Sequence, residues 1–286
     1  MSAIIKNLSF TYMKKTPYES KALNAIDLEI KEGEFLGIIG STGSGKSTLI
    51  QHLNGLIPLQ EGKLTVCDID LSVKKPDYKA VRKKVGIVFQ YPEYQLFDET
   101  VEKDVAFGPR NMGLSEGEIT ERVQESLRLV GIDESLWDKN PFELSGGQKR
   151  RVAIAGVIAM RPEMLILDEP TAGLDPMGKK EILSLILKLK AECSPTVVMI
   201  SHNMDEIADM ADRIALLHKG RLLACCSPEE LFTSPELIKT AGLEIPVSVS
   251  IAQKLIKKGV KLDGVPCRKS VLSKLILSLW REKDAQ

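Results

Sequence analysis

Phe35-Leu36-Gly37-Ile38-Ile39-Gly40-Ser41-Thr42-Gly43-Ser44-Gly45-Lys46-Ser47-Thr48 is the stretch on which the fold class turns. Its first five residues are apolar and read as a buried strand. The next eight fit the spacing G-x-x-x-x-G-K-[ST], and a helical pattern over residues 46–54 opens where that spacing ends. Three glycines let the backbone curl so that successive N–H groups face phosphate oxygens. The helix N-terminus adds the positive end of its dipole. Lys46 offers a cation to the β- and γ-phosphates and Ser47 a hydroxyl to Mg²⁺. Gly40, Ser41, Thr42, Gly43, Ser44, Gly45 and Thr48 complete the cradle. The arrangement predicts a site for a nucleoside triphosphate.

A second apolar run, Met164-Leu165-Ile166-Leu167, ends in Asp168-Glu169. A buried strand would carry Asp168 to the same sheet edge as the phosphate cradle, where it can hold Mg²⁺ through water. Glu169 then stands where a general base could polarise an attacking water. A glutamate there, rather than a glutamine or serine, argues for hydrolysis and not only binding.

Further out, short apolar runs at 4–10, 25–30, 35–39, 63–66, 85–89, 164–167, 196–200 and 214–217 alternate with helical periods. This pattern predicts an α/β fold around a mostly parallel sheet. The strands before Phe35 alternate more and predict an antiparallel side sheet. Residues 101–108, 115–130 and 146–160 read as helices with no strand among them, a helical insertion spanning about 97–161. After Ser227, four prolines (Pro228, Pro235, Pro246, Pro266) punctuate three short helical patterns, the last over 269–282. The expected division is a domain over 1–227 and a helical appendage over 228–286.

Composition sets outer bounds. The chain has 286 residues, 43 % of them hydrophobic, and Lys plus Arg equal Asp plus Glu at 39 each. A net charge of zero gives no reason to expect a nucleic-acid partner. The five cysteines form no CxxC pair and are expected as free thiols. No run approaches the ~20 apolar residues of a membrane span, and the first ten residues lack the pattern of a secretory signal. Any membrane role is expected to come through a partner.

Leu144-Ser145-Gly146-Gly147-Gln148, followed by Lys149-Arg150-Arg151, places two glycines and a serine at another helix start. That makes a second anion-binding end, which one chain does not need for one triphosphate. The pentapeptide resembles the signature of ATP-binding-cassette (ABC) ATPases, a P-loop NTPase family. The resemblance implies a head-to-tail dimer, with ATP and Mg²⁺ between the phosphate loop of one subunit and Ser145, Gly146, Gly147 and Gln148 of the other. It also implies that Gln90 is the Q-loop glutamine, touching Mg²⁺ or water. Thr171-Ala172-Gly173-Leu174-Asp175 resembles the D-loop, and His202 the switch histidine at the γ-phosphate. Tyr12 is the candidate to stack on adenine, with Phe10 as the alternative.

Phe89-Gln90-Tyr91-Pro92-Glu93-Tyr94-Gln95-Leu96-Phe97 and Thr100-Val101-Glu102-Lys103-Asp104-Val105-Ala106-Phe107-Gly108-Pro109 are closely similar to energy-coupling factor (ECF) transporter ATPases. Asp168-Glu169-Pro170-Thr171-Ala172-Gly173-Leu174-Asp175-Pro176 is more similar to the second paralogue of that family's pair. The resemblance implies a mixed pair of cassettes at the cytoplasmic face of the cell membrane. These would grip a transmembrane T-component, which holds a substrate-binding S-component for a vitamin or metal ion. Tyr91, Tyr94, Leu96 and Phe97, beside Glu93, Asp98 and Glu99, predict an apolar groove ringed by acids for an arginine-bearing helix. An ATPase of another importer, or an ATP switch with a soluble partner, stays open on these residues alone.

Overall fold

The computed structural model describes residues 1–193, 196–260, 262 and 264–284. Strands β1 (Ala3–Tyr12) and β2 (Ser20–Ile30) pair antiparallel; β2 buries alternate residues from Ile26 to Ile30, while β1 buries Leu8, Ser9 and Phe10 in succession where its register shifts. The sequence pattern starts β2 only at Ala25, because the residues from Ser20 to Asn24 are mostly polar. Leu23 is nevertheless fully buried and pairs with Phe10, across a bulge that gives Ala25 a positive φ. Strand β3 (Phe35–Ile39) is buried at every position and runs into helix α1 (Lys46–Leu53). β4 (Glu61–Val66) and β5 (Ile69–Asp70) complete the side sheet, in the order β2-β1-β4-β5.

Helix α2 (Tyr78–Lys84) leads to β6 (Val85–Val88), after which the chain leaves the sheet for three helices. These are α3 (Val101–Met112), α4 (Glu116–Leu129) and α5 (Gly146–Ile158). The sequence pattern ends α3 at Gly108, yet the helix runs one turn further, through Pro109, and is capped by Gly113 in the left-handed conformation. The chain returns as β7 (Met164–Asp168), α6 (Pro176–Glu192), β8 (Thr196–Ile200), α7 (Met204–Met210), β9 (Arg213–His218) and β10 (Arg221–Cys226). The second sheet has the order β10-β9-β3-β8-β7-β6. It is parallel from β9 to β6, with β10 antiparallel at the edge. After Ser227 come α8 (Pro228–Phe232), α9 (Pro235–Ala241), α10 (Val247–Lys257) and α11 (Lys269–Asp284), four helices where the proline spacing predicts three.

The parallel sheet divides the apolar interior by parity. Phe35, Ile39, Leu165, Leu167, Val197 and Met199 face the helices, whereas Leu36, Ile38, Met164, Ile166, Val198 and Ile200 face the side sheet and α1. Both faces are therefore dry, which is why these strands read as unbroken apolar runs. The parallel strands β3, β6, β7 and β8, which precede or carry Lys46, Gln90, Asp168 and His202, all end at the same carboxyl edge. Among the described residues no helix is long and apolar enough to cross a membrane, and the five cysteines are free.

Helix α4 starts with a full capping box: Ser115 Oγ accepts from the Glu118 amide and Glu118 Oε2 accepts from the Ser115 amide. Ser115→Ala is expected to lower unfolding stability by about 1 kcal/mol. The change should be read as an earlier urea midpoint at unchanged slope.

Candidate nucleotide site

The turn after β3 is shaped by its glycines. A Cβ on Gly40 would lie 2.1 Å from the Leu217 carbonyl oxygen, and one on Gly45, where φ is +103°, would lie 2.6 Å from that of Ala22. No other residue fits either place. Lys46 follows at the first helical position, and its Nζ donates to the carbonyls of Gly40 (2.8 Å) and Ser41 (3.0 Å). Burial pulls the ammonium's pKa down, against the attraction of Glu169 and Asp168. The Ser44 hydroxyl is buried without a partner, a polar group facing the inside of the loop.

Asp168 ends β7 two strands away, with the side chain of Ser47 beside its carboxylate. Burial pushes its pKa up and the neighbouring Glu169 adds to this, while Lys46, Ser47 and His202 oppose it. Glu169 sits at φ +50°, a left-handed conformation uncommon outside glycine, fixed by its amide donating to the Ile200 carbonyl. Its two carboxylate oxygens have separate partners. Gln90 Nε2 donates to Oε2 at 3.2 Å, and His202 Nε2 lies 2.9 Å from Oε1. Residues from the ends of β3, β6, β7 and β8 thus meet in one place, as the sequence predicts for Lys46, Ser47, Gln90, Asp168, Glu169 and His202.

Tyr12 is 39 % exposed, and its hydroxyl is 3.2 Å from Thr48 Oγ1 on the first turn of α1. Phe10, the alternative aromatic, is buried edge-on against His52 and Tyr12 and belongs to the core. The signature residues stand apart. Ser145 Oγ accepts from the Gln148 amide and Gln148 Oε1 accepts from the Ser145 amide, so both side chains are spent on capping α5. Gly146 and Gly147 are exposed, and a Cβ on either would meet nothing within 4 Å. Among the described residues, no hydrogen bond joins residues 145–148 to the phosphate loop.

Two features escape the sequence reading. Arg150 is only 2 % exposed and forks onto Glu93, with Nε and Nη2 at 3.0 and 2.8 Å from the two carboxylate oxygens. Its Nη1 donates to the carbonyls of Pro170 (3.1 Å) and Ala172 (2.9 Å). Glu206, also buried, accepts at one oxygen from Thr171 Oγ1 (2.9 Å) and Ser201 Oγ (3.0 Å). The signal for Arg150 was present as one basic residue among three on a helix, of which one must turn inward. Nothing local marks Glu206.

The acid-ringed groove holds only in part. Tyr91, Tyr94 and Phe97 are exposed as expected, but Glu93 faces inward onto Arg150 and Leu96 is in the core. Glu99 stays at the surface, paired with Lys103. What stands open is a cavity of about 430 Å³ lined in part by Phe97, Phe107 and Met160, with Lys79, Arg82 and Lys83 on its rim. Asp104 also lines it, but one of its oxygens is taken by the amides of Phe97 and Asp98. The groove is therefore apolar with a basic edge.

Residues 23–172 match the family model of the ABC transporter. The chain is 51 % identical to the energy-coupling factor transporter ATP-binding protein EcfA2 of Clostridium tetani, over 92 % of both chains. It is 54 % identical to the protein of the same name from Caldanaerobacter subterraneus, over 90 % of each. Among solved structures, cbiO1 of Clostridium perfringens, part of the ABC transporter complex cbiONQ, superposes with a TM-score of 0.73 at 39 % identity. That match covers 90 % of this chain and 98 % of the other. A dimeric post-hydrolysis state of the ATP-binding cassette MJ0796, bound to ADP and Pi, superposes with a TM-score of 0.69 at 31 % identity, over 79 % and 98 %. The chain belongs to the ABC transporter family and, within it, to the ATP-binding proteins of energy-coupling factor transporters.

Proposed function

We propose that this chain is the ATP-driven motor of a micronutrient importer, working from the cytoplasmic face of the cell membrane. Its partners would be a second cassette, a transmembrane T-component and, through it, a vitamin- or ion-binding S-component. The observation that carries the reading is the pair of half-sites. Lys46, Ser47, Gln90, Asp168, Glu169 and His202 converge at one edge. Gly146 and Gly147 hold a bare helix start away from it, with no reason inside the chain to be glycine. A second subunit packed head to tail would bring that helix start to the phosphates held by the first.

In this reading the amides of residues 40–47 and the Lys46 ammonium would hold the β- and γ-phosphates, and Tyr12 would stack on the adenine. Ser47 and Asp168 bring two hard oxygen donors side by side, which suits Mg²⁺. Among the described residues no cluster of three or more His, Cys, Asp or Glu could hold a metal. Phosphate oxygens and water would therefore supply the remaining ligands, with Gln90 at hand. When bound, the ion neutralises charge on the phosphates. Glu169, aimed by Gln90 and His202, would accept the proton of the attacking water. His202 would face the γ-phosphate, and closure of the pair would move the groove beside Phe97 and tilt the membrane subunits.

Affinity purification from native membranes, with mass spectrometry of what co-purifies, tests the assembly. A second cassette and an integral-membrane T-component are expected, whereas purely soluble partners would sink the transport reading. Lys46→Ala should lose nucleotide affinity. Glu169→Gln should bind ATP, accumulate a closed dimer on size exclusion, and lose about a hundredfold or more in turnover. Phe97→Asp should release the T-component while ATP binding by the isolated subunit stays unchanged.

Asp168 yields a further expectation. Its folded pKa lies above the unfolded value, so its favourable contribution is complete below the unfolded pKa and vanishes as pH rises through the folded one. At neutral pH the ionised group therefore opposes folding. Asp168→Asn should raise the melting temperature of the nucleotide-free protein while abolishing hydrolysis, and the gain should fade as pH falls through the raised pKa of the folded carboxyl.

A further inference from the structure

Arg150 rises from the second turn of the helix that Ser145 caps, and its guanidinium touches two loops belonging to other parts of the site. Glu93 lies in a short 3-10 turn (Pro92–Gln95), two residues beyond Tyr91, which has a positive φ of 54°. Pro170 and Ala172 bracket Thr171 in the turn that follows Glu169, and the Ala172 amide donates back to the Glu169 carbonyl. Thr171 passes the contact on to Glu206 and so to Ser201, the neighbour of His202. The connection from Glu93 to Ser201 is continuous and almost wholly out of water.

We propose that Arg150 is a positioning residue that locks the segment after Gln90, the start of α5 and the turn 169–172 into one unit, so that a shift of Glu93 moves the carboxylate of Glu169. A guanidinium at this depth is tolerated only while its donors are met, because an unpaired buried charge is strongly unfavourable. The loops therefore move with Arg150 or exchange one satisfied arrangement for another; drifting apart separately is the expensive option. The planar fork matters as much as the charge. A lysine ammonium cannot meet both Glu93 oxygens in parallel while also serving two carbonyls on another loop. Packing alone does not call for an arginine here. Val152, Ile154, Ala155 and Ile158 already seat α5 in the core, and apolar residues of similar volume commonly replace a buried ion pair without loss. Gln95, Leu96 and Phe97, just after Glu93, form one wall of the groove, so a partner seated there would press on one end of the connection.

The kinetic side of this proposal rests on Glu169 being the base, as proposed above; the mechanical side does not. The test uses the full chain assembled with its co-purifying partners and reads two quantities in parallel. These are kcat and KM for ATP, and amide hydrogen exchange in residues 169–175. Arg150→Lys and Glu93→Gln should each lower kcat about ten- to a hundredfold with KM for ATP within about twofold, since neither residue touches the phosphate loop. Exchange in 169–175 should quicken while that of α4 stays as it was. The double variant Arg150→Met/Glu93→Leu removes both charges and guards against a single variant that fails to fold; it should show the same kinetic loss. Quickened exchange with unchanged kcat would uphold the mechanical joint and take the role of base from Glu169. Unchanged exchange and kcat, with only a lower melting temperature, would overturn the proposal and leave Arg150 a stabilising contact.

Discussion

Two buried strands with opposite charges at their ends constrain the whole site. Lys46 follows β3 and Asp168 ends β7, and each would be uncomfortable without the other in the same partly dry space. Burial pulls both toward their neutral forms, and their mutual attraction works against that tendency. Only an α/β layering with covered faces delivers such groups to one edge at such depth. The carboxylate of Glu169 is then added beside them in a strained backbone conformation, held by Gln90 and His202. A site assembled this way is poised by repulsion as much as by attraction, which suits a centre meant to change hands between phosphate and water.

Much of this was legible in the chain. The phosphate loop could be read because glycine spacing, a preceding apolar run and a following helix are all local. The strands of the parallel sheet could be read because both of their faces are dry, so no polar alternation interrupts them. The start of β2 was hidden for the opposite reason: Ser20 to Asn24 is mostly polar and only Leu23 is fully buried. The third dimension of the charge pattern was hidden as well. Glu93 beside aromatic residues reads as a surface acid, and only the fold reveals that Arg150, more than fifty residues away, claims it. Ion pairs between distant segments leave no mark in local periodicity, and the charge of the groove was misjudged on that account.

The consequence for recognition is a change of sign. With Glu93 withdrawn, the charged groups lining the groove are Lys79, Arg82, Lys83 and Asp104, three basic to one acidic. An occupant would take most of its affinity from Phe97 and Phe107, whose rings meet edge to face 5.0 Å apart. The polar edge would fix orientation more than strength.

The bareness of Gly146 and Gly147 bears on how damage to this protein would show itself. Neither glycine is held by a neighbouring atom or a left-handed backbone. A side chain acquired there would leave the subunit able to fold, to escape quality control and to accumulate normally. If the dimer is the head-to-tail one proposed, the injury would fall on the other molecule's nucleotide. Such a lesion would be inherited by one polypeptide and expressed in its companion.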